Sequence, residues 1–155
     1  PWHLSNIMPS PSGETQFYWR FGRRNVLDYY VGGSNAAVKS EVIDLRGLNG
    51  ASLAFDYFQN TSPLFSIGDT FQVFAILLDS NSNRELGWVF LKEYDLLENS
   101  PAFRMTEKTI DLSVVAGQRF KLGFAVLSRT GGLFGGMGWM FGNVKVFTDE
   151  RTYLY

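Results

Sequence analysis

Arg119-Phe120-Lys121-Leu122-Gly123-Phe124-Ala125-Val126 alternates large apolar side chains with charged or small ones, residue by residue. A period of two belongs to a half-buried β-strand, whose successive side chains point to opposite faces of a sheet. Phe120, Leu122, Phe124 and Val126 are therefore expected to face a core, and Arg119, Lys121 and Gly123 to face outward.

The same rhythm continues on both sides of this strand. Downstream, the glycine-rich stretch Gly131 to Gly138 reads as a loop and Trp139 to Phe147 as a closing strand. Upstream, Lys108 to Leu112 precedes a loop through Gly117. Thr70 to Leu78 is apolar on both faces, which predicts a central strand covered on each side. Asp79 to Asn83 is a polar hairpin loop, and Leu86 to Lys92 is its return strand. Leu53, Phe55 and Tyr57 alternate with Ser52, Ala54 and Asp56; Val38 to Leu45 leads through Gly47 into the turn dipeptide Asn49-Gly50. Val26 to Val31 and Phe17 to Phe21 complete the series, and Asp95 to Ser100 has room for a short helical turn before Pro101. About nine strands and no long helix predict an all-β sandwich or barrel. Residues 1–16 hold Pro1, Pro9, Pro11 and Gly13 without periodicity, which reads as an extended N-terminal arm before one domain over residues 17–155.

Composition bounds the chemistry. The 155 residues include 14 Phe, 7 Tyr and 4 Trp, with 45% hydrophobic and only 19% charged residues, enough for one core and a surface poor in charge. A net charge of −1 supplies no field for nucleic acid or anionic lipid. No run approaches the roughly 18 apolar residues of a membrane span. The absence of cysteine removes disulfides, thiolate metal sites and a cysteine nucleophile together. The start Pro1-Trp2-His3-Leu4 shows no signal-like stretch and fits a chain from which an initiator methionine has been removed; a fragment of a longer protein fits it equally.

Three segments, in order, carry a resemblance. Ser40-Glu41-Val42-Ile43-Asp44-Leu45 with Ala51 to Tyr57 is the first, and Gly68-Asp69-Thr70-Phe71-Gln72-Val73 the second. The third runs from Ile110-Asp111-Leu112-Ser113 through Gly117-Gln118 and Phe120 to Phe124 into Gly138 to Val146. Together they resemble the choice-of-anchor or cleaved-adhesin jelly-roll module of bacterial surface proteins, a relative of MAM domains. The resemblance covers roughly residues 38–147 and, with the alternation, predicts a jelly-roll β-sandwich of about nine antiparallel strands. It also implies a structural calcium near a pair of aspartates, which correspond here to Gly142-Asn143. Loss of a carboxylate argues against calcium held in the family's manner, since calcium takes several oxygen ligands. Asp44 and Asp69 stand as ligands for a different site, and no other cofactor is expected.

Catalytic constellations are thin. His3 is the only histidine, which leaves neither a Ser-His-Asp triad nor a zinc site much to work with. Glu41 and Asp44 fall on opposite strand faces; Glu93 and Asp95 share one but sit at a strand end, so a paired-carboxylate hydrolase is not expected. Arg20, Arg23 and Arg24 read as a solvated turn, and Gly131 to Gly136 lacks the ending of a phosphate loop.

Contacts with partners are the better expectation. Trp2 and Leu4 in the arm, Leu133 and Phe134 at the glycine-rich tip, and Tyr153, Leu154 and Tyr155 at the end are apolar residues that a neighbour would cover. Trp19, Trp88, Trp139, Tyr29 and Tyr30 are aromatics for stacking on sugar rings or for the core. The adjacent pair Tyr29 and Tyr30 must send one ring to each face, which makes these two the preferred glycan-stacking candidates. The expected function is therefore a non-enzymatic assembly protein: a decoration, cement or fibre component on the surface of a tailed-phage type of virion. Its partners would be protein subunits of a large assembly, with itself as homo-oligomer, and neither nucleic acid nor membrane. The alternative is an extracellular or cell-surface carbohydrate-binding or adhesion module of a larger secreted protein.

Overall fold

The computed structural model describes residues 2–5, 11, 18–21, 35–61, 68–100, 104–127, 138–148 and 152–154. Among these, eleven strands form: β1 (Trp2–Ser5), β2 (Tyr18–Phe21), β3 (Asn35–Lys39), β4 (Ile43–Asp44), β5 (Ser52–Asn60), β6 (Thr70–Leu78), β7 (Glu85–Tyr94), β8 (Thr106–Asp111), β9 (Arg119–Leu127), β10 (Gly138–Phe147) and β11 (Thr152–Leu154). They make two antiparallel sheets. A six-stranded sheet runs β1-β2-β10-β5-β8 with β11 also on β10, and a five-stranded sheet runs β3-β9-β6-β7 with β4 also on β9. Most connections cross from one sheet to the other, as jelly rolls do, and β6 and β7 are joined by the polar hairpin around Asp79.

The core lies between the sheets. Phe120, Leu122, Phe124 and Val126 of β9 meet Leu53, Phe55 and Tyr57 of β5 and Trp139, Phe141 and Val146 of β10, all buried in one apolar cluster. Phe124 and Phe141 stack with centroids 4.2 Å apart across the sheet interface. The other face of the six-stranded sheet is also covered: Tyr18, Phe58, Met105 and Met140 form a second buried cluster there. Strand β5 is consequently buried on both sides.

Two expectations change. The single strand expected over Val38 to Leu45 is split into β3 and β4, both on β9. Ser40 bridges the break: its amide donates to the Leu122 carbonyl (2.9 Å), and its hydroxyl accepts from the Leu122 amide (2.8 Å). That side chain replaces a ladder bond, so the interruption costs no buried donor. In addition, Trp2–Ser5 is sheet rather than arm, antiparallel to β2. The Trp2 ring packs edge-on against Phe21 (5.5 Å), Phe71 (6.2 Å) and Phe141 (5.2 Å), so it stops one end of the core. A four-residue strand is too short to show a period of two, which hides it in the sequence. Of residues 6–16 only Pro11 is described, and the candidate strand Val26 to Val31 lies outside the described residues.

The expected helical turn is a 3-10 turn, Leu96–Glu98. The loop that carries it is tied to β5 by buried Gln59, whose amide nitrogen donates to the Asp95 carbonyl (2.5 Å) and the Asn99 side-chain oxygen (3.2 Å).

Candidate functional site

The outer face of the five-stranded sheet presents a cluster of large apolar rings to solvent. Trp88 is 45% and Phe90 54% exposed, both on β7. Register sets Phe90 opposite Phe74 and Trp88 opposite Ile76, so the four share one face. Phe74 meets both neighbours edge-on, at 5.3 Å from Trp88 and 5.9 Å from Phe90. Gly123 of β9 completes the floor. A Cβ there would stand 3.2 Å from Ile76 and 3.4 Å from Trp88, so the indole reaches over β6 as far as β9. Only the missing side chain at position 123 leaves that space open.

Polar groups frame this patch. Lys39 of β3 and Glu85 of β7 come from the two outermost strands of the sheet, yet Lys39 Nζ lies 2.9 Å and 3.0 Å from the two Glu85 carboxylate oxygens. On its way the ammonium passes 5.4 Å from the Trp88 ring centroid, within cation–π range. Four strands span about 14 Å at their usual spacing, so this ion pair bridges the face from rim to rim. At the other end Gln72 Nε2 donates to Glu93 Oε2 (3.0 Å).

A second concavity opens at the mouth of the space between the sheets. It measures about 680 Å³, and Leu4, Trp19, Val38, Asn143 and Leu154 are among its lining residues. It exists because β2 pairs with Trp139, Met140 and Phe141 of β10, whereas β11 pairs with Lys145, Val146 and Phe147, leaving a gap between them. Leu4 (55% exposed) and Leu154 (73% exposed) flank that gap.

Beside it, the position at which the resembled family would place a calcium-binding carboxylate, Gly142 here, is filled by an aromatic ring. A Cβ on Gly142 would come within 2.7 Å of Tyr18 Cδ1. The Tyr18 hydroxyl donates to Asp56 Oδ2 (2.8 Å), and the Asn143 amide approaches the same oxygen at 3.4 Å. Burial pushes the Asp56 carboxyl above its ordinary value, while these two hydrogen bonds pull it down. Asn143 itself takes a left-handed backbone (φ 49°) at the bulge in β10. Asp44 is held instead by Arg46, 2.7 Å away, and Asp69 is buried. Among the described residues no group of three or more His, Asp or Glu side chains converges.

The sequence-derived candidates separate accordingly. Leu4 and Leu154 come together at the groove, joined by Trp19. Trp2 does not, because its ring is committed to the core. Trp139 is core as well. Tyr29, Tyr30, Leu133, Phe134 and Tyr155, and the side chain of Tyr153, lie outside the described residues. Phe74 and Phe90 were not singled out by sequence. Their signal was a return strand, Leu86 to Lys92, apolar at both parities beside an outward-facing glycine at 123.

Comparison with known proteins bears on the fold of this two-sheet sandwich. No protein-family model matches the chain, and no curated protein sequence does. Solved structures do. The K1 cleaved adhesin domain of Lys-gingipain from Porphyromonas gingivalis W83 superposes with a TM-score of 0.56 at 17% identity, covering 96% of this chain and 83% of that one. The enzymatically active domain of tailspike protein 4 from bacteriophage CBA120 gives 0.53 at 14%, covering 100% of this chain and 18% of that one. The CBM22-1 and GH10 modules of a Clostridium thermocellum endo-1,4-β-D-xylanase, complexed with xylohexaose, give 0.50 at 13%, covering 98% and 25%. The chain thus spans only a small part of the latter two. Identities this low establish the fold alone, a two-sheet β-sandwich.

Proposed function

We propose that this chain is a non-enzymatic, glycan-binding adhesion module acting at a cell or particle surface, with the outer face of its five-stranded sheet as the contact surface. The observation that carries this reading is the contiguous cluster of Phe74, Trp88 and Phe90 on that face, with Trp88 and Phe90 exposed. Contiguous rings in water are unfavourable unless something covers them. A sugar ring suits them, because its C–H face lies on an aromatic ring while its hydroxyls find polar groups at the edge. Lys39, Glu85, Gln72 and Glu93 stand where those hydroxyls would reach. The likeness to an adhesin domain and to a structure holding xylohexaose supports the same direction. A glycan array probed with the wild type and with a Trp88→Ala/Phe90→Ala variant tests this reading. Retention by the wild type alone supports the proposal, and an array blank for the wild type removes it.

One observation favours a second reading, a subunit of a larger particle such as a tailed-phage virion. Leu4 of β1 and Leu154 of β11, near opposite ends of the chain, flank one groove of mixed polarity that a neighbouring subunit would fill. That reading predicts concentration-dependent association in sedimentation, abolished by Leu154→Glu. A monomer at every concentration contradicts it.

A further inference from the structure

We infer that the aromatic face selects acidic sugars, with Lys39 as the residue that reads their carboxylate. The inference rests on the glycan-binding reading above and specifies its ligand class. A neutral platform would need only rings and hydrogen-bonding edges. Here an ammonium group stands within cation–π range of the main ring: Lys39 Nζ lies 5.4 Å from the Trp88 centroid. The apolar surface on which a pyranose would rest and a full positive charge thus lie side by side. Across the same face, register sets Lys121 opposite Ile76, in the row that Trp88 extends, so a second cation borders the platform.

The charge on Lys39 is balanced in the free protein by Glu85, through both carboxylate oxygens. Glu85 therefore occupies the position that a ligand carboxylate would take. The pair is solvent-exposed, and exposed ion pairs are weakly held, so exchanging one carboxylate for another on Lys39 has little to overcome. A neutral sugar settling on Trp88 has no group with which to replace Glu85 and must leave the clasp closed or break it uncompensated. A uronic or sialic acid exchanges carboxylate for carboxylate while its ring covers Trp88 and Phe90. Selectivity then follows from the clasp as much as from the platform. Glu85, which competes with the ligand, acts as the restraint.

The test is a paired array in which oligogalacturonate, oligoglucuronate, oligomannuronate and sialyllactose each stand beside their carboxyl-reduced, neutral counterparts. The wild type is expected to prefer the acidic member of a pair by tenfold or more, an advantage that falls with added salt. Lys39→Gln is expected to abolish the preference. Glu85→Gln, which frees the ammonium, is expected to strengthen acidic binding, a gain that no misfolded variant would give. Equal retention of acidic and neutral members, or a preference that survives Lys39→Gln, overturns the inference and leaves the aromatic platform standing. Failure of the wild type to bind any member overturns the inference, while the glycan-binding reading falls only if the full glycan array is also blank.

Discussion

Trp88 and Gly123 belong to strands separated by β6, yet the indole comes within 3.4 Å of where a Cβ on residue 123 would stand. The glycine is thus the seat of the ring. Gly123→Val would fill that seat, crowd Ile76 as well, and lift the indole into solvent. Overpacking of this kind costs about 1–3 kcal/mol. The expected result is a red-shifted tryptophan emission with glycan binding lost and the sandwich still folded. An unchanged emission spectrum would show that the ring does not rest there.

Trp2 stops one end of the core through edge contacts with Phe21, Phe71 and Phe141. Since the residue is half-buried, Trp2→Ala should cost about 2 kcal/mol, roughly half of a full core truncation. For a domain of this size that lowers Tm by about 6 °C. Thermal unfolding by circular dichroism reads it, and an unshifted Tm would return residues 2–5 to the role of a free arm.

Gly142 and Tyr18 compete for one space, with 2.7 Å left between a Cβ and the ring. Gly142→Ala is therefore expected to destabilise by about 2 kcal/mol. In a Tyr18→Ala background the same substitution should cost much less, and a double-mutant cycle measures the coupling. Additive effects would mean that the ring does not fill the position.

Asp56 links this region to pH. Burial raises its pKa in the fold, so the folded state holds its proton more tightly than the unfolded chain does. That contribution is fully present below the ordinary value of about 3.9 and is lost as pH rises through the higher folded value. The Tm of the wild type relative to Asp56→Asn should accordingly fall as pH rises from about 3.9 towards neutrality. A relative Tm that climbs over this window would mean that hydrogen bonds from Tyr18 and Asn143 outweigh burial.

Much of the fold was legible locally. The alternation of Phe120, Leu122, Phe124 and Val126 appears as one buried face, and Thr70 to Leu78 is a strand between two others. Contrary to expectation, the outer face of that strand, with half-buried Gln72 and Phe74, is not covered by a second layer among the described residues. What the sequence hides is contact between distant segments. Nothing near Gly142 announces that Tyr18 will stand on it, and nothing near Pro1 that Trp2 will close a core. The aromatic face was hidden for a different reason. Strand β7 is apolar at both parities, with Val89 and Leu91 packed on the core and Trp88 and Phe90 outside. Register shifts between Val73 and Phe74 and between Leu77 and Leu78 also break the simple period. Alternation says which residues share a face; which face another layer covers is decided by the arrangement of whole sheets. Tyr29 and Tyr30 lie outside the described residues.

The central claim is that a glycan lands on Trp88. The protein contains 4 Trp, which stand in separate surroundings: Trp2 and Trp139 in the core cluster, Trp19 at the groove, Trp88 on the outer sheet face. Nitrogen–proton correlation spectra resolve each indole N–H, and titration with a glycan retained on the array reads all of them at once. The Trp88 signal should move with saturation while those of Trp2 and Trp139 stay in place. Saturable binding with Trp88 unmoved, or with only Trp19 responding, would contradict the assignment of the outer face as the binding surface.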